Sequence, residues 1–251
     1  MPHFTTWAIV IKTLDYGESD RIVAFYTSDF GKVRGIAKGA KRSKRRFSNA
    51  LELFTLSSLI FFHKRDAGLM RIEGCDIVDT FPAIREDIRK IAFGCYYVEL
   101  VDEMTAERES NPDLFDMLRA FLSLLNGGRA EPELLRIFEI RLLSLVGYRP
   151  GLERCLRCNQ TLEHGGQIHF SVKQGGVLCE RCSQVYGDLI PVSPGTARML
   201  HVAMEMDLSK VHRLKFSQRA LWEGETILSA FIQYHINKEL KSKKFLKELG
   251  M

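Results

Sequence analysis

Two pairs of cysteines constrain the fold of this chain more than any other feature of its sequence. Cys155 and Cys158 form one pair, Cys179 and Cys182 form the other, and twenty residues separate the pairs. This spacing is typical of a four-thiolate zinc site, because a two-residue turn aims both sulfurs of a pair at one tetrahedral metal. Four thiolates leave no open position for water or substrate, so we predict one structural Zn²⁺. Redox-active thiols or two buried pairs are the alternative.

The other two cysteines, Cys75 and Cys95, are isolated and are interpreted as small buried apolar residues. Thiols used for metal binding rather than for disulfides are expected in a reducing compartment. No apolar stretch approaches the roughly 20 residues of a membrane-spanning helix, and the N-terminus lacks a signal-peptide core. We therefore expect a cytoplasmic protein without a membrane partner.

The first 80 residues have the pattern of β-strands. Short runs rich in β-branched and aromatic residues alternate with turns, and no helical period interrupts them; the runs are residues 7–11, 21–27, 32–37, 53–63 and 70–78. Five short strands in about 80 residues predict a small barrel of the OB-fold type, an architecture that binds oligonucleotides.

Beyond residue 81 apolar residues recur at three- and four-residue intervals, which predicts helices. We expect helices over residues 84–105, from 112 to about 126, over 132–146, after Pro194 and over 218–249. The predicted fold is therefore α+β and multidomain. Its parts are an OB-fold at 1–80, a helical domain at 81–150 and 191–251, and a zinc-finger insertion at 151–190 whose residues 165–176 form a hairpin.

One segment concentrates positive charge without any acidic residue. It contains eight cations: Lys32, Arg34, Lys38, Lys41, Arg42, Lys44, Arg45 and Arg46. A solvated charged surface is the ordinary interpretation of such a run. However, this one lies between strands of a predicted oligonucleotide-binding barrel, where a basic groove would follow a phosphate backbone. We therefore predict that these eight residues bind DNA.

Aromatic residues near this segment could add base stacking, although each of them is more often a core residue. The nearest are Phe25, Tyr26, Phe30 and Phe47. A second group of lysines, at 238, 241, 243, 244 and 247, is either a solvated helix face or a further phosphate contact. No G-x-x-x-x-G-K-[ST] motif is present, so no nucleotide cofactor is expected.

The sequence resembles the RecO family of bacterial DNA repair proteins over nearly its whole length. The resemblance is carried by the order of several segments: residues 16–22 (YGESDRI), 27–32, 35–41 (GIAKGAK), 97–100 (YVEL), 112–118 and 138–150 (FEIRLLSLVGYRP). The last segment leads directly into Cys155, as it does in the family.

This resemblance implies a recombination mediator that is not an enzyme. Members bind single- and double-stranded DNA, anneal complementary strands and cooperate with RecR. They help to load RecA on strands coated by single-strand-binding protein, whose C-terminal tail they recognise. Two other classes stay open: a zinc-ribbon transcription or scaffold protein, and a zinc-dependent nuclease, which would need the open metal position that four thiolates deny.

The tail is expected to be acidic and to end in an apolar residue with a free carboxylate. Its receptor should therefore combine an apolar pocket with Arg or Lys at the rim. Arg119, Arg129, Arg136 and Arg141 are the cations of the middle region that could serve, and we assign the role to Arg136 and Arg141, which lie on an apolar helix. The alternative is that this helix is core and its arginines pair with Glu133 or Glu139.

Overall fold

The computed structural model describes residues 3–43, 46–62, 69–162 and 167–250. The strands are β1 (His3–Tyr16), β2 (Asp20–Thr27), β3 (Gly31–Ala37), β4 (Leu56–Phe62), β5 (Met70–Asp79), β6 (Ile168–Ser171), β7 (Gly176–Cys179) and β8 (Leu189–Val192). The α-helices are α1 (Pro82–Arg85), α2 (Ile88–Met104), α3 (Pro112–Gly127), α4 (Pro132–Leu145), α5 (Glu180–Ser183), α6 (Pro194–Glu205), α7 (Gln218–Ile236) and α8 (Lys241–Glu248).

The chain folds into two compact units. The first contains Met1–Ala130 together with Leu240–Met251, and the second contains Glu131–Glu239. The barrel therefore shares its unit with α1–α3 and α8, whereas the four cysteines of the predicted metal site belong to the second unit.

The first five strands form a closed barrel in the order β1-β2-β3-β5-β4. β1 pairs with both β2 and β4, and a short parallel pairing of β3 with β5 completes the closure. Apolar side chains of the strands and of the β3–β4 loop fill its interior, including Val10, Val23, Phe25, Leu59 and Phe47. The predicted five-stranded OB-fold is confirmed.

The edge of β3 is covered by the segment that follows α2. The N–H of Arg108 donates to the carbonyl of Lys32 at 2.8 Å, and Gly31 has a positive φ of 62°. A Cβ atom at Gly31 would overlap the carbonyl oxygen of Glu109. Only glycine therefore satisfies both the backbone conformation and the close approach of the covering segment at this position.

Two helices of the first unit, α2 and α3, begin at residues whose side chains cap them. Asp87 accepts N–H bonds from Arg89 and Lys90, so the continuous helix expected over residues 84–105 is wrong and the chain restarts at α2. Asn111 caps α3, with Pro112 at the first helical position as predicted. The carboxylate of Glu99 on α2 accepts the N–H groups of Lys241 and Ser242 at the start of α8.

The second unit combines α4, α6 and α7 with a three-stranded sheet in the order β7-β6-β8. A hairpin is present as the antiparallel pair β6–β7, but it spans residues 168–179 rather than the predicted 165–176, and Gly175 lies in its turn instead of at its end. Residues 165 and 166 lie outside the described ranges. The expected single helix over residues 218–249 is wrong, because Asn237 adopts a left-handed conformation (φ 50°) and ends α7. No helix in the described ranges combines the length and apolarity needed to cross a membrane.

Candidate nucleic-acid interface and metal centre

The four paired cysteines lie together in the second unit. Their sulfur atoms are all within 4.8 Å of one another, and the sulfurs of Cys158 and Cys179 are 3.8 Å apart. Thiolates bound at about 2.3 Å to one tetrahedral metal are separated by about 3.8 Å. The cluster therefore has the dimensions of a four-thiolate metal site and could hold one metal ion.

Backbone hydrogen bonds shape the turn that carries the first pair. Asn159, which has a positive φ of 57°, donates to the carbonyl of Cys155 at 2.9 Å, and Leu156 donates to Val177 on β7 at 2.9 Å. A Cβ atom at Gly176 would lie 2.5 Å from the carbonyl oxygen of Gly151. The turn is thus fastened closely to β7, which ends in Cys179 of the second pair.

The environment of Cys155 favours a thiolate. Burial by itself would raise the pKa of this thiol, but backbone N–H groups of Cys158, Cys179 and Arg157 point at the sulfur and lower its pKa to about 6. N–H groups directed at sulfur also stabilise a metal-bound thiolate. Outside the cluster, burial raises the pKa of Cys75 to about 12 and raises that of Cys95. Neither thiol is activated as a nucleophile, which agrees with their interpretation as apolar packing residues.

The loop after β3 is anchored to the turn between β1 and β2. The carboxylate of Asp20 accepts the N–H of Gly39 at 2.8 Å. The N–H of Lys41 donates to the carbonyl of Ser19 at 3.0 Å, and the Lys41 ammonium donates to the carbonyl of Gly17 at 3.2 Å. The positive charges of this loop are consequently held beside the β1–β2 turn, at one end of the barrel.

Four of the eight predicted cations are exposed on this loop: Lys38, Lys41, Arg42 and Arg46. We call these four residues the basic loop. Lys41 is 3.0 Å from Asp15, and Arg42 is 3.9 Å from Glu18. Both partners of the Arg42–Glu18 pair are largely exposed, and such a pair contributes little stability and exchanges readily for other anions. The Lys41 side chain is more enclosed, although its partner Asp15 is exposed. Two further predicted cations, Lys44 and Arg45, lie outside the described residues.

The remaining two, Lys32 and Arg34, are engaged inside the first unit. The Lys32 ammonium is buried, 3.3 Å from the Asp102 carboxylate on α2. Arg34 is 3.4 Å from Asp102 and 3.2 Å from Glu107, and Lys12 is 3.0 Å from Asp102. Burial alone would raise the pKa of Asp102, yet Lys12, Lys32 and Arg34 together hold it below its ordinary value. This network fastens α2 to the barrel and leaves Lys32 inaccessible to a phosphate.

The aromatic residues considered from the sequence are core residues. Phe25, Tyr26 and Phe47 are buried, and Phe30 packs against the barrel interior. The exposed aromatic beside the basic loop is Tyr16, at the end of β1, which the sequence reasoning missed. The sequence did contain a pattern that could have identified Tyr16. Leu14 and Tyr16 are two residues apart just before the Gly17 turn, which places both on one face of the strand.

Arg136 and Arg141 both make internal contacts in the second unit. Arg136 is buried and pairs with Glu139 at 2.9 Å, as the alternative interpretation expected. Arg141 donates to the carbonyl oxygens of Ala203, at 2.9 Å, and Met206, at the end of α6. Their side chains therefore stabilise helix packing, and nothing in their geometry offers a guanidinium to a peptide carboxylate.

An apolar cavity elsewhere in the protein has an arginine, Arg119, in its lining. It lies in the first unit between the barrel and α3, has a volume of about 210 Å³, and is lined by Trp7, Ser28, Leu56, Val78, Pro112, Phe115, Asp116 and Arg119. Trp7 and Val78 are each about half exposed. Arg119 pairs with Asp116 at 2.9 Å across an exposed turn of α3.

Known proteins match the chain over nearly its whole length. The family model for the N-terminal part of recombination protein O matches residues 1–81, and the model for its C-terminal part matches residues 85–244. DNA repair protein RecO of Syntrophus aciditrophicus is 40% identical over 246 residues, covering 97% of this chain and 95% of that protein. RecO of Geobacter metallireducens is 38% identical over 244 residues, covering 97% of both. With both family models matched in order and relatives of this similarity, the chain belongs to the RecO family of DNA repair proteins.

Proposed function

We propose that this DNA repair protein is a recombination mediator that binds single- and double-stranded DNA and anneals complementary strands without catalysis. The observation that carries the proposal is the basic loop. Four exposed cations are held beside a barrel turn by backbone hydrogen bonds, and two more, Lys44 and Arg45, belong to the same stretch of sequence. Annealing requires that the charges of two phosphate backbones be neutralised together, which a basic surface does by displacing counterions.

Because Lys32 is buried, fewer than the eight predicted cations can contact phosphates. We assign phosphate contacts to Lys38, Lys41, Arg42, Lys44, Arg45 and Arg46, and we assign Lys32 and Arg34 to the ion network around Asp102. The lysines of α8 are a further candidate. Lys241, Lys244 and Lys247 are exposed opposite the face that buries Ser242 and Leu246.

The metal ion proposed for the cysteine cluster is one Zn²⁺ with a structural role. Four thiolates complete its coordination shell, so the site stabilises the second unit and supplies no position for hydrolysis. This is also the argument against a zinc-dependent nuclease. A zinc-ribbon scaffold protein would need no annealing activity, so a strand-annealing assay distinguishes it from a mediator.

Family membership supports the proposed partners. We propose that the protein works in the cytoplasm at the nucleoid, cooperates with RecR, and helps to load RecA on strands coated by single-strand-binding protein. For the tail of that protein, the cavity of Trp7, Phe115 and Arg119 supplies the expected chemistry of an apolar pocket with a cation at its rim. The exposed Arg119–Asp116 pair is weak enough for a tail carboxylate to replace Asp116.

A strand-annealing assay without nucleotide tests the function. The wild-type protein should accelerate annealing of complementary oligonucleotides, and a variant with Lys38, Lys41, Arg42 and Arg46 all changed to Gln should lose most of that acceleration. A matched control removes four exposed cations elsewhere, at Arg89, Arg129, Lys210 and Arg213. It should anneal like the wild type. Equal loss in both variants would indicate a general charge effect, and no acceleration by the wild type would refute the mediator proposal.

A further inference from the structure

An exposed apolar strip lies on the outer face of the barrel, next to the basic loop. Leu14 on β1 is paired with Ile22 on β2, and Ile22 is paired with Ile36 on β3. Residues at the same register project from the same face of a sheet, as do residues two apart along a strand. Tyr16 therefore shares this face with Leu14, and the four apolar side chains form one continuous strip.

The strip is open at the end where Tyr16 lies. Tyr16 and Leu14 are each 55% exposed, and Ile22 and Ile36 are half-buried. Within the described ranges no aromatic ring packs on Tyr16 and no hydrogen bond engages its hydroxyl. Trp7, the other strongly exposed aromatic of β1, lines the cavity against α3, whereas Tyr16 has no such neighbour among its described aromatic contacts. Packing within the barrel therefore does not account for the position of the Tyr16 ring.

Backbone contacts bring the basic loop to this end of the strip. Tyr16 pairs with Asp20 across the β1–β2 turn, and Asp20 holds the N–H of Gly39, directly after Lys38. The turn also binds Lys41 through Ser19 and Gly17. The N–H of Gly39, the hydroxyl of Ser19 and the charge of nearby Lys38 lower the pKa of Asp20, which places Lys38 close to the carboxylate opposite Tyr16. Lys41 instead pairs with Asp15, which projects from the other face of β1. The strip thus has a loop cation at its Tyr16 end, and the other loop cations lie around the same turn.

We infer that Tyr16 is a base-stacking platform, and that the strip from Tyr16 toward Ile36 receives unstacked bases of single-stranded DNA whose phosphates lie on the basic loop. The inference rests on the proposed function and adds a contact to the bases. Every base has a π-face, so such a platform binds single strands without reading their sequence. Paired bases inside a duplex cannot reach the ring, so the same contact distinguishes single strands from duplexes. Charge complementarity favours this occupant, because the strip adjoins a concentrated group of cations.

An oligonucleotide without bases separates this contact from phosphate binding. Affinity is measured at one salt concentration for oligo(dT) and for an abasic oligomer of the same length, with wild type, Tyr16→Ala and Tyr16→Phe. Tyr16→Ala should weaken oligo(dT) binding about 5- to 150-fold, the range given by loss of one stacked base. It should leave abasic binding unchanged. Tyr16→Phe keeps the ring and should bind both oligomers as the wild type does.

Two controls interpret the result. Tyr234→Ala removes a comparably exposed tyrosine of the second unit and should change neither affinity. Changing the four basic-loop cations to Gln should weaken both oligomers alike. Unchanged oligo(dT) affinity in Tyr16→Ala, or an equal loss on the abasic oligomer, would overturn the stacking role while leaving DNA binding intact. A wild-type protein that binds neither oligomer would instead overturn the proposed function itself and the inference with it.

Discussion

The ammonium of Lys32 lies 3.3 Å from the carboxylate of Asp102, seventy residues away in sequence, and both side chains are buried. Lys12 and Arg34 approach the same carboxylate from β1 and β3. The carboxylate of α2 is thus the common partner of three cations from the barrel. This explains why part of the basic segment serves folding, whereas the described cations after β3 are exposed.

Changing Asp102 to Asn should destabilise the protein strongly, because Lys32 would remain buried without its counterion. Breaking a buried pair costs about 3 kcal/mol or more. Urea denaturation at pH 7 measures the loss. Adding Lys32→Met to Asp102→Asn should recover part of it, since no uncompensated buried charge remains. A loss below about 1 kcal/mol would contradict the role assigned to this network.

The same pair predicts a pH dependence with a definite sign. The pKa of Asp102 is lower in the folded protein than the unfolded value of about 3.9. Its stabilisation is therefore complete above that value and is lost as the pH falls through the lowered pKa. The stability difference between wild type and Asp102→Asn should be constant from pH 7 to 5 and shrink toward pH 3. A difference that does not change with pH would show that Asp102 acts by shape alone.

The purified protein should carry about one zinc per chain. Cys179→Ser should lower the zinc content and destabilise the second unit, since metal binding contributes directly to folding free energy in such sites. Metal analysis together with thermal denaturation measures both effects. Cys95→Ser is the control and should keep full zinc. Full occupancy in Cys179→Ser would remove Cys179 from the ligand set.

Two glycines with nearly equal φ angles allow the cost of a left-handed conformation to be measured separately from the cost of a steric overlap. Gly17 and Gly31 have φ values of 59° and 62°. A Cβ at Gly17 meets nothing within 4 Å, whereas one at Gly31 overlaps the carbonyl of Glu109. Gly17→Ala should cost about 1 kcal/mol from its left-handed conformation, and Gly31→Ala should cost about 1–3 kcal/mol more. Equal losses would mean that the segment covering β3 moves away without penalty.

The proposed tail pocket predicts which arginine matters for the partner. Arg119→Ala should weaken binding of a labelled peptide with the sequence of the single-strand-binding protein tail, while leaving DNA affinity unchanged. Loss of a charge-assisted contact to a carboxylate corresponds to about 1.5–3 kcal/mol, or roughly 10- to 150-fold in affinity. Arg89→Ala is the exposed control. Wild-type peptide affinity in Arg119→Ala would exclude the pocket, and a loss in Arg141→Ala without a stability change would return the site to α4.

Local signals predicted most of the fold. The runs of β-forming residues and the turn residues between them predicted the barrel, and Asn111-Pro112 predicted the start of α3. The spacing of the cysteines predicted that four sulfurs lie together. The failures have local causes too. Asp87 competes as a helix cap within an apolar pattern, and Asn237 adopts a left-handed conformation that its neighbours do not reveal.

The residues of the candidate site were harder to predict, because their burial is set by contacts with residues that are distant in sequence. Burial of Lys32 requires Asp102, and exposure of Tyr16 follows from strand register rather than from composition. Arg136 is buried against Glu139 while Arg119 is exposed, and the reason is again a contact with distant elements. A guanidinium is buried or exposed according to which helix packs against it, and an amphipathic pattern alone does not specify that partner.

The salt dependence of single-strand binding tests the central claim, that the exposed cations after β3 hold phosphates. Each phosphate contact contributes about 0.7 to the slope of log K against log[salt], so contacts by up to six cations give a slope no steeper than about −4. Changing Lys38, Lys41, Arg42 and Arg46 to Gln should weaken binding similarly for all sequences and flatten the slope by up to about 3. An unchanged slope in that variant would contradict the account and would place the DNA elsewhere, with the lysines of α8 next to be tested.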